Sequence, residues 1–175
     1  MKALRILLSI IVILLALFFI GGMLLPKTYK ISRTVIINAT DSLVYMNVAD
    51  MNNFLRWNPW TKIEPEAKVT ISGVPAQTGH LWEWKGKKTG SGTMELIQAQ
   101  PYSLAEFQLH FLEPFESQAI SGFTFKKTAE GTEVEWYMSG KANSIPDRWM
   151  GLSMDMMMDK DFTSGLQALK ELSEK

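Results

Sequence analysis

Between Ile6 and Leu25 the chain reads ILLSIIVILLALFFIGGMLL, twenty residues with no charge and a single hydroxyl. Wound as a helix at about 1.5 Å per residue, such a run reaches roughly 30 Å, the thickness of a bilayer's hydrocarbon core. It is read as an uncleaved transmembrane anchor. A cleaved secretory signal has an apolar core of about 7 to 15 residues ending in a small-x-small site. This run is longer, and Ile20-Gly21-Gly22 makes a poor site; a buried core helix is the remaining alternative. Lys2 and Arg5 precede the span while Lys27, Lys30 and Arg33 follow it, so basic residues alone barely orient it. The very short leading tail places the amino terminus in the cytoplasm and everything after Pro26 on the extracytoplasmic side.

This reading divides the chain into an anchor, residues 1–26, and one domain, residues 27–175. The domain carries 16 basic and 18 acidic residues, a net charge of −2, which argues against nucleic acid as a partner. The sequence has no cysteine, hence no disulfide framework and no thiol nucleophile.

After the span the dominant period is two. Tyr29, Ile31, Val35 and Ile37 alternate with Lys30, Ser32, Thr34 and Asn38 before the helix-start signal Thr40-Asp41-Ser42. A short helix to about Asp50 and a second from Met51 to Arg56 lead into RWNPW, where Pro59 forces a turn bracketed by Trp57 and Trp60. Six strands are predicted near 67–72, 80–85, 91–99, 102–111, 117–125 and 132–140, their short connections implying an antiparallel meander. By parity Ala105, Phe107, Leu109 and Phe111 share one face, as do Val134, Trp136 and Met138. A long helix follows Pro146-Asp147, with Met150, Met154, Met157, Met158, Phe162, Leu169 and Leu172 at helical spacing and Gly165 allowing close approach to the sheet. Trp149, Leu152 and Met156 form a second apolar face at its start. The Met51–Trp60 segment, the loop 141–146 or the membrane is expected to cover it, and at the bilayer it would form one lip of a ligand portal opposite RWNPW.

This order is α+β, a curved antiparallel sheet gripping a long C-terminal helix, preceded by one transmembrane helix. Three stretches, TVIINATDSLVY, RWNPW and MGLSMDMMMDKDFTSGLQALKEL, resemble the START-like (SRPBCC) helix-grip superfamily, in particular its membrane-tethered, polyketide cyclase/dehydratase-like bacterial branch. The resemblance covers residues 28 to 173. It implies a cavity between sheet and long helix, closed at one end by Trp57 or Trp60.

Catalytic signals are sparse. His110 falls on the outward parity, and His80 shares the inward parity of Trp82 and Trp84 at a strand start, where a hydrogen-bonding role fits better than catalysis. No metal spacing occurs and no cofactor is implied. GKKTGSG, residues 86–92, lacks the spacing of a phosphate loop and reads as a hairpin turn. Asp161 lies near the apolar stripe of the last helix, either bonded to nearby groups or anchoring a ligand head group.

Five of eleven methionines fall between Met150 and Met158; flexible thioethers beside Trp82, Trp84, Phe107, Phe111 and Trp136 suit an adaptable apolar cavity. The expected function is a membrane-anchored domain binding a hydrophobic small molecule or lipid, with Trp57, Trp60, His80, Trp82, Trp84, Phe107, Phe111, Trp136, Met154, Met158 and Asp161 as candidate ligand contacts. Two alternatives stand beside it: a cyclase or dehydratase using Asp161 or His80 for proton transfer in the same cavity, and a protein-interaction module that needs no cavity. The anchor is directly testable, since the full-length chain should resist extraction from membranes by alkaline carbonate. Release of intact chain into the wash would remove it.

Overall fold

The period-two stretches form the seven strands of one antiparallel sheet in the computed structural model, which describes residues 2–175. Helix α1 (Lys2–Leu24) leads to β1 (Thr28–Ile37), then to three short helices, α2 (Asp41–Ala49), α3 (Met51–Trp57) and α4 (Pro59–Ile63). Strands β2 (Lys68–Ser72), β3 (Leu81–Lys85), β4 (Ser91–Gln100), β5 (Leu104–Glu113), β6 (Ser117–Thr128) and β7 (Gly131–Lys141) follow, and α5 (Ile145–Ser173) ends the chain. The sheet order is β1-β7-β6-β5-β4-β3-β2, a meander whose last strand turns back to pair with the first. Register shifts in β4, at Ser91/Gly92 and Leu96/Gln98, accompany the sheet's curvature. The curved sheet grips α5 in a helix-grip arrangement.

Local chemistry sets the helix breaks. Thr40 caps α2, accepting from the Leu43 amide. Asp50 ends α2 and caps α3, and Asn58 ends α3 and caps α4, accepting from the Thr61 amide at 3.0 Å. Pro59 occupies the first turn of α4, where its missing N–H costs nothing. RWNPW is therefore a one-residue break between two helices, and the expected pair of short helices is in fact three. The fully buried Asn58 side chain also donates to the Phe54 carbonyl, so the break satisfies its own polar groups.

The break aims its two tryptophans at a third. Trp57 meets Trp136 edge-on at 5.8 Å, and Trp60 meets it at 5.8 Å with the rings almost perpendicular. Trp136 itself stacks between Phe123 at 5.0 Å and Phe162 at 4.1 Å. A methyl group added at Gly165 would lie 2.7 Å from the Trp136 ring, so only glycine lets α5 come this close.

Helix α5 divides in two along its length. Its buried residues, Phe162, Gly165, Leu166, Leu169 and Ser173, all belong to the second half. In the first half Met150 and Met157 are exposed, contrary to the expectation that their face lies on the sheet. Arg33 reaches that half from β1, pairing with Asp155 at 2.8 Å and Asp159 at 2.7 Å. Its start is held by α1: Trp149 stacks on Phe18 at 5.9 Å and donates to the Phe18 carbonyl at 3.1 Å. Helix α1 thus packs on Trp149, a partner not among those expected, and leaves it 38% exposed, with Leu152 and Met156 more exposed still. Helix α1 is otherwise exposed and, with a mean hydropathy of 3.0, long and apolar enough to cross a membrane.

The aromatic stack should dominate stability. Trp136→Ala should lower the unfolding free energy by about 3–5 kcal/mol, as large core truncations do, whereas Glu133→Gln on the outer face should change it by less than about 0.5 kcal/mol. Urea unfolding of the detergent-solubilised chain checks both.

Candidate functional site

The first half of α5 rests on β1 alone and stands off the neighbouring strands, and a cavity of about 310 Å³ lies beneath it. Met154 and Met158 form its roof, Trp82, Trp84, Met94, Leu109, Phe111 and Trp136 its floor, and Trp60 one side. Trp84 meets Trp82 at 4.9 Å and Phe111 edge-on at 5.9 Å, so the floor is a continuous aromatic surface. Polar groups are few. Tyr29, Thr61, Thr89, Ser117 and Ser121 bring hydroxyls, and Glu64 is the one carboxylate. The Ser121 hydroxyl already accepts from the Trp136 indole at 3.0 Å, and burial raises the Tyr29 pKa, keeping its phenol neutral. The indole N–H of Trp82 is buried without a partner among the described residues.

Glu64 is committed elsewhere. Its carboxylate accepts from the amides of Lys87, Lys88 and Thr89 at 2.8 to 3.0 Å and from the Thr89 hydroxyl at 3.0 Å. The GKKTG turn joins β3 to β4, as its sequence implied, and its consecutive amides form an anion nest filled by the protein's own carboxylate. These hydrogen bonds, led by those from Thr89 and Lys87, hold the Glu64 pKa down at about 2. The effect is to latch the α4–β2 connection, Glu64 to Ala67, across one side of the cavity.

Of the candidate contacts, Trp60, Trp82, Trp84, Phe111, Trp136, Met154 and Met158 line this cavity. Trp57, Phe107, His80 and Asp161 do not. Trp57 is core, its indole donating to the Asn47 carbonyl at 2.7 Å. Phe107 is buried 6.4 Å from Phe54, under α3 at the closed end of the sheet. His80 is 0% exposed: its Nε2 accepts from the Met51 amide at 3.0 Å and its Nδ1 lies 2.9 Å from the Ser72 carbonyl. The tautomer with the proton on Nδ1 satisfies both partners, so this ring ties β2 to α3. Asp161 is half-buried on the flank of α5, one position from the inward Phe162. His110 lies on the outer face, beside Glu116. Sequence reasoning left out Tyr29, Phe54, Glu64, Leu109, Met138 and Phe162 among the lining residues; strand parity gave a signal for Tyr29, Leu109 and Met138 and the helical stripe one for Phe162.

The sequence from residue 28 to 174 matches the model of the family described as polyketide cyclase / dehydrase and lipid transport. The chain belongs to this family. No curated protein matches it in sequence. Solved structures share the family's fold at low identity. Protein MLL2253 from Mesorhizobium loti is 13% identical with a TM-score of 0.60, over 82% of this chain and 95% of that one. The di-domain aromatase/cyclase StfQ from the steffimycin biosynthetic pathway is 10% identical with a TM-score of 0.60, over 85% of this chain and 51% of that one. Ara h 8.0201 is 6% identical with a TM-score of 0.58, over 83% and 97%. At these identities the likeness is one of fold.

The Glu64 latch carries a pH signature. Its carboxyl titrates near 2 in the folded chain against an ordinary 4.5, so the latch contributes its stability above pH 4.5 and loses it as pH falls towards 2. Glu64→Gln should flatten the acid limb of stability in that window and speed hydrogen exchange at the Lys87, Lys88 and Thr89 amides. Unchanged exchange at all three would show that the carboxylate does not hold the loop.

Proposed function

We propose that the chain is a membrane-anchored binder of a hydrophobic small molecule or lipid, with residues 1–26 as the anchor and residues 27–175 as the binding domain. The observation that carries this reading is the cavity: about 310 Å³, aromatic and aliphatic on floor and roof, with its one carboxylate tied to a loop. That volume lies at the lower end of the range for small-molecule sites. The family's description, which includes lipid transport, supports the same reading. The mean hydropathy of α1 and the short basic tail at Lys2 and Arg5 support a single span with the amino terminus in the cytoplasm and the cavity on the extracytoplasmic side.

Binding on this reading is partition followed by orientation. An apolar guest leaving water gains about 25 cal/mol per Å² of apolar surface buried. The Tyr29 and Ser117 hydroxyls then select guests with a matching acceptor or donor, because a mismatched polar group in such a site stays unpaired. A cyclase or dehydratase reading loses the groups named for it, since His80 and Asp161 lie outside the cavity; the ionisable side chains in the lining are Tyr29 and Glu64. A module that acts only by surface contact would have no use for the cavity.

Native mass spectrometry of protein released gently from detergent should show a bound apolar molecule. Leu109→Trp, which fills the cavity from the floor, should abolish that adduct while leaving the fold intact by circular dichroism. A wild-type chain without adduct, whose tryptophan emission ignores fatty acids, isoprenoids and aromatic polyketides alike, would overturn the reading.

A further inference from the structure

The strand register sorts the loops of the molecule into two ends. Thr28 pairs with Lys141, Ser117 with Phe111, Ser91 with Glu113 and Lys68 with Lys85. One end of the sheet therefore gathers the exit from α1, the entry into α5, the β3–β4 turn, the β5–β6 turn and the α4–β2 connection. The cavity lies at this end, lined by Tyr29, Glu64, Thr89, Phe111 and Ser117. The opposite end is filled by Val44, Tyr45 and Val48 of α2. The site thus opens where the anchor joins the body, and Leu25, Pro26 and Lys27 are all that separates α1 from β1. Three residues reach at most about 11 Å.

Apolar side chains are exposed at the same end. Phe115, on the β5–β6 turn, is 82% exposed with Leu112 beside it, and Met156 is 83% exposed on α5 with Met150, Leu152 and Met157. The depth of this surface follows from the contact between α1 and α5. Gly21 and Gly22 make a notch in α1: a methyl group at Gly22 would collide with Ile145, and one at Gly21 would meet the Trp149 ring at 2.9 Å. Trp149 bonds the carbonyl of Phe18, six residues before the end of α1, which at 1.5 Å per residue is about 9 Å below that end. Arg148 reaches the carbonyls of Gly22 and Met23 at 3.3 Å. The start of α5 therefore sits beside the last turns of the span, not above them.

Charge agrees with this placement. Among the described residues Lys27, Lys87, Lys88 and Lys141 are exposed at this end and pair with no carboxylate. Most acids there are engaged: Glu64 by the β3–β4 turn, Glu113 by Ser91, Glu116 by His110, Asp147 by Ser144 and Asp155 by Arg33, while Glu66 on the α4–β2 connection is exposed and unpaired among the described residues.

From this arrangement we infer that the cavity end of the molecule is a second membrane contact, embedded in an anionic leaflet. The β5–β6 turn and residues 150–157 of α5 insert among acyl chains, and the lysines meet lipid phosphates. This inference rests on the reading of α1 as a membrane span, and it deepens the proposed function by naming the bilayer as the source of the guest. Met154 and Met158 line the cavity from the helix that carries Met150 and Met157 on its exposed side, so a single helix separates the guest from lipid.

The chain has no native cysteine, so single spin labels report depth cleanly. Labels at Leu14→Cys in the span, Phe115→Cys and Met156→Cys on the proposed surface, and Thr78→Cys at the far end are introduced into the full-length chain. Each variant is reconstituted into vesicles of phosphatidylcholine and phosphatidylglycerol, and collision rates with oxygen and with a water-soluble nickel complex are compared. The ratio of oxygen to nickel collisions at positions 115 and 156 should exceed that at 78 several-fold and approach that at 14. Ratios at 115 and 156 equal to that at 78, with 14 still in lipid, would overturn the docking surface and leave the anchor intact. Nickel access at 14 as well would overturn the anchor and the docking surface together. Labels at 115 and 156 shielded from both probes and broadened by each other's spins would assign the surface to a second copy of the chain, which also overturns the proposal.

Discussion

Trp136 lies face to face with Phe162 at 4.1 Å and with Phe123 at 5.0 Å, so one indole is the central apolar contact between β7 and α5. Trp57 and Trp60 close on its edges from either side of the Asn58-Pro59 break. Gly165 is what lets the helix down onto the ring. Past this contact towards the carboxyl terminus, Leu166 and Leu169 are buried and the helix is core. Before it, the same helix keeps to the β1 edge, and Met154 and Met158 face the cavity. The cavity is a consequence of where that contact falls along α5.

A helix held at one half needs support at the other. Arg33 ties Asp155 and Asp159 to β1, and Trp149 and Ile145 rest in the glycine notch of α1. These supports differ from the Trp136 contact in kind. The paired charges are largely exposed and screened, and the notch depends on a segment that reads as membrane-spanning. The roof of the cavity is therefore the more weakly fastened half of α5. The opposite wall is latched by Glu64, a single carboxylate across two loops.

Most of the architecture was legible in the sequence because its signals are local. Alternation located all seven strands, Thr40 and Ser42 marked the helix after β1, and parity placed Trp82, Trp84, Phe111 and Trp136 on the inner face. Parity gives a face, however, and not a position along it. Phe107 and Phe111 share a side of β5 four residues apart, about 13 Å along the strand; one is buried under α3 and the other lines the cavity. The same limit explains His80, inward by parity but buried between β2 and α3; Trp57, on α3, was a matter of resemblance and is core. Asp161 misled for another reason, since helical spacing fixes an angle only to within a residue and Phe162 is the one that points in. Glu64 had no readable signal, because its partners lie 23 to 25 residues further on and meet it only once β3 and β4 have paired. The glycines at 21 and 22 were read for what they say against cleavage; their role as a notch requires knowing that Trp149 arrives there.

On the proposed function, a guest that comes from the bilayer would bind under a different balance of forces. A lipid moving from acyl chains into an aromatic cavity exchanges one apolar surrounding for another, so the transfer term of about 0.8 kcal/mol per methylene largely cancels. What remains is shape against the Met154 and Met158 roof and the pairing of the few polar groups, Tyr29, Ser117 and the unpartnered indole N–H of Trp82. Selectivity in such a site comes from polar placement, and the hydrophobic effect serves to keep the guest out of water during the exchange. The same cancellation keeps the exchange close to reversible, which suits a site that passes an apolar molecule on. A cavity that opened at the far end of the sheet would instead require every guest to cross water, at the full transfer cost. The register that sets the cavity beside the end of α1 avoids that step.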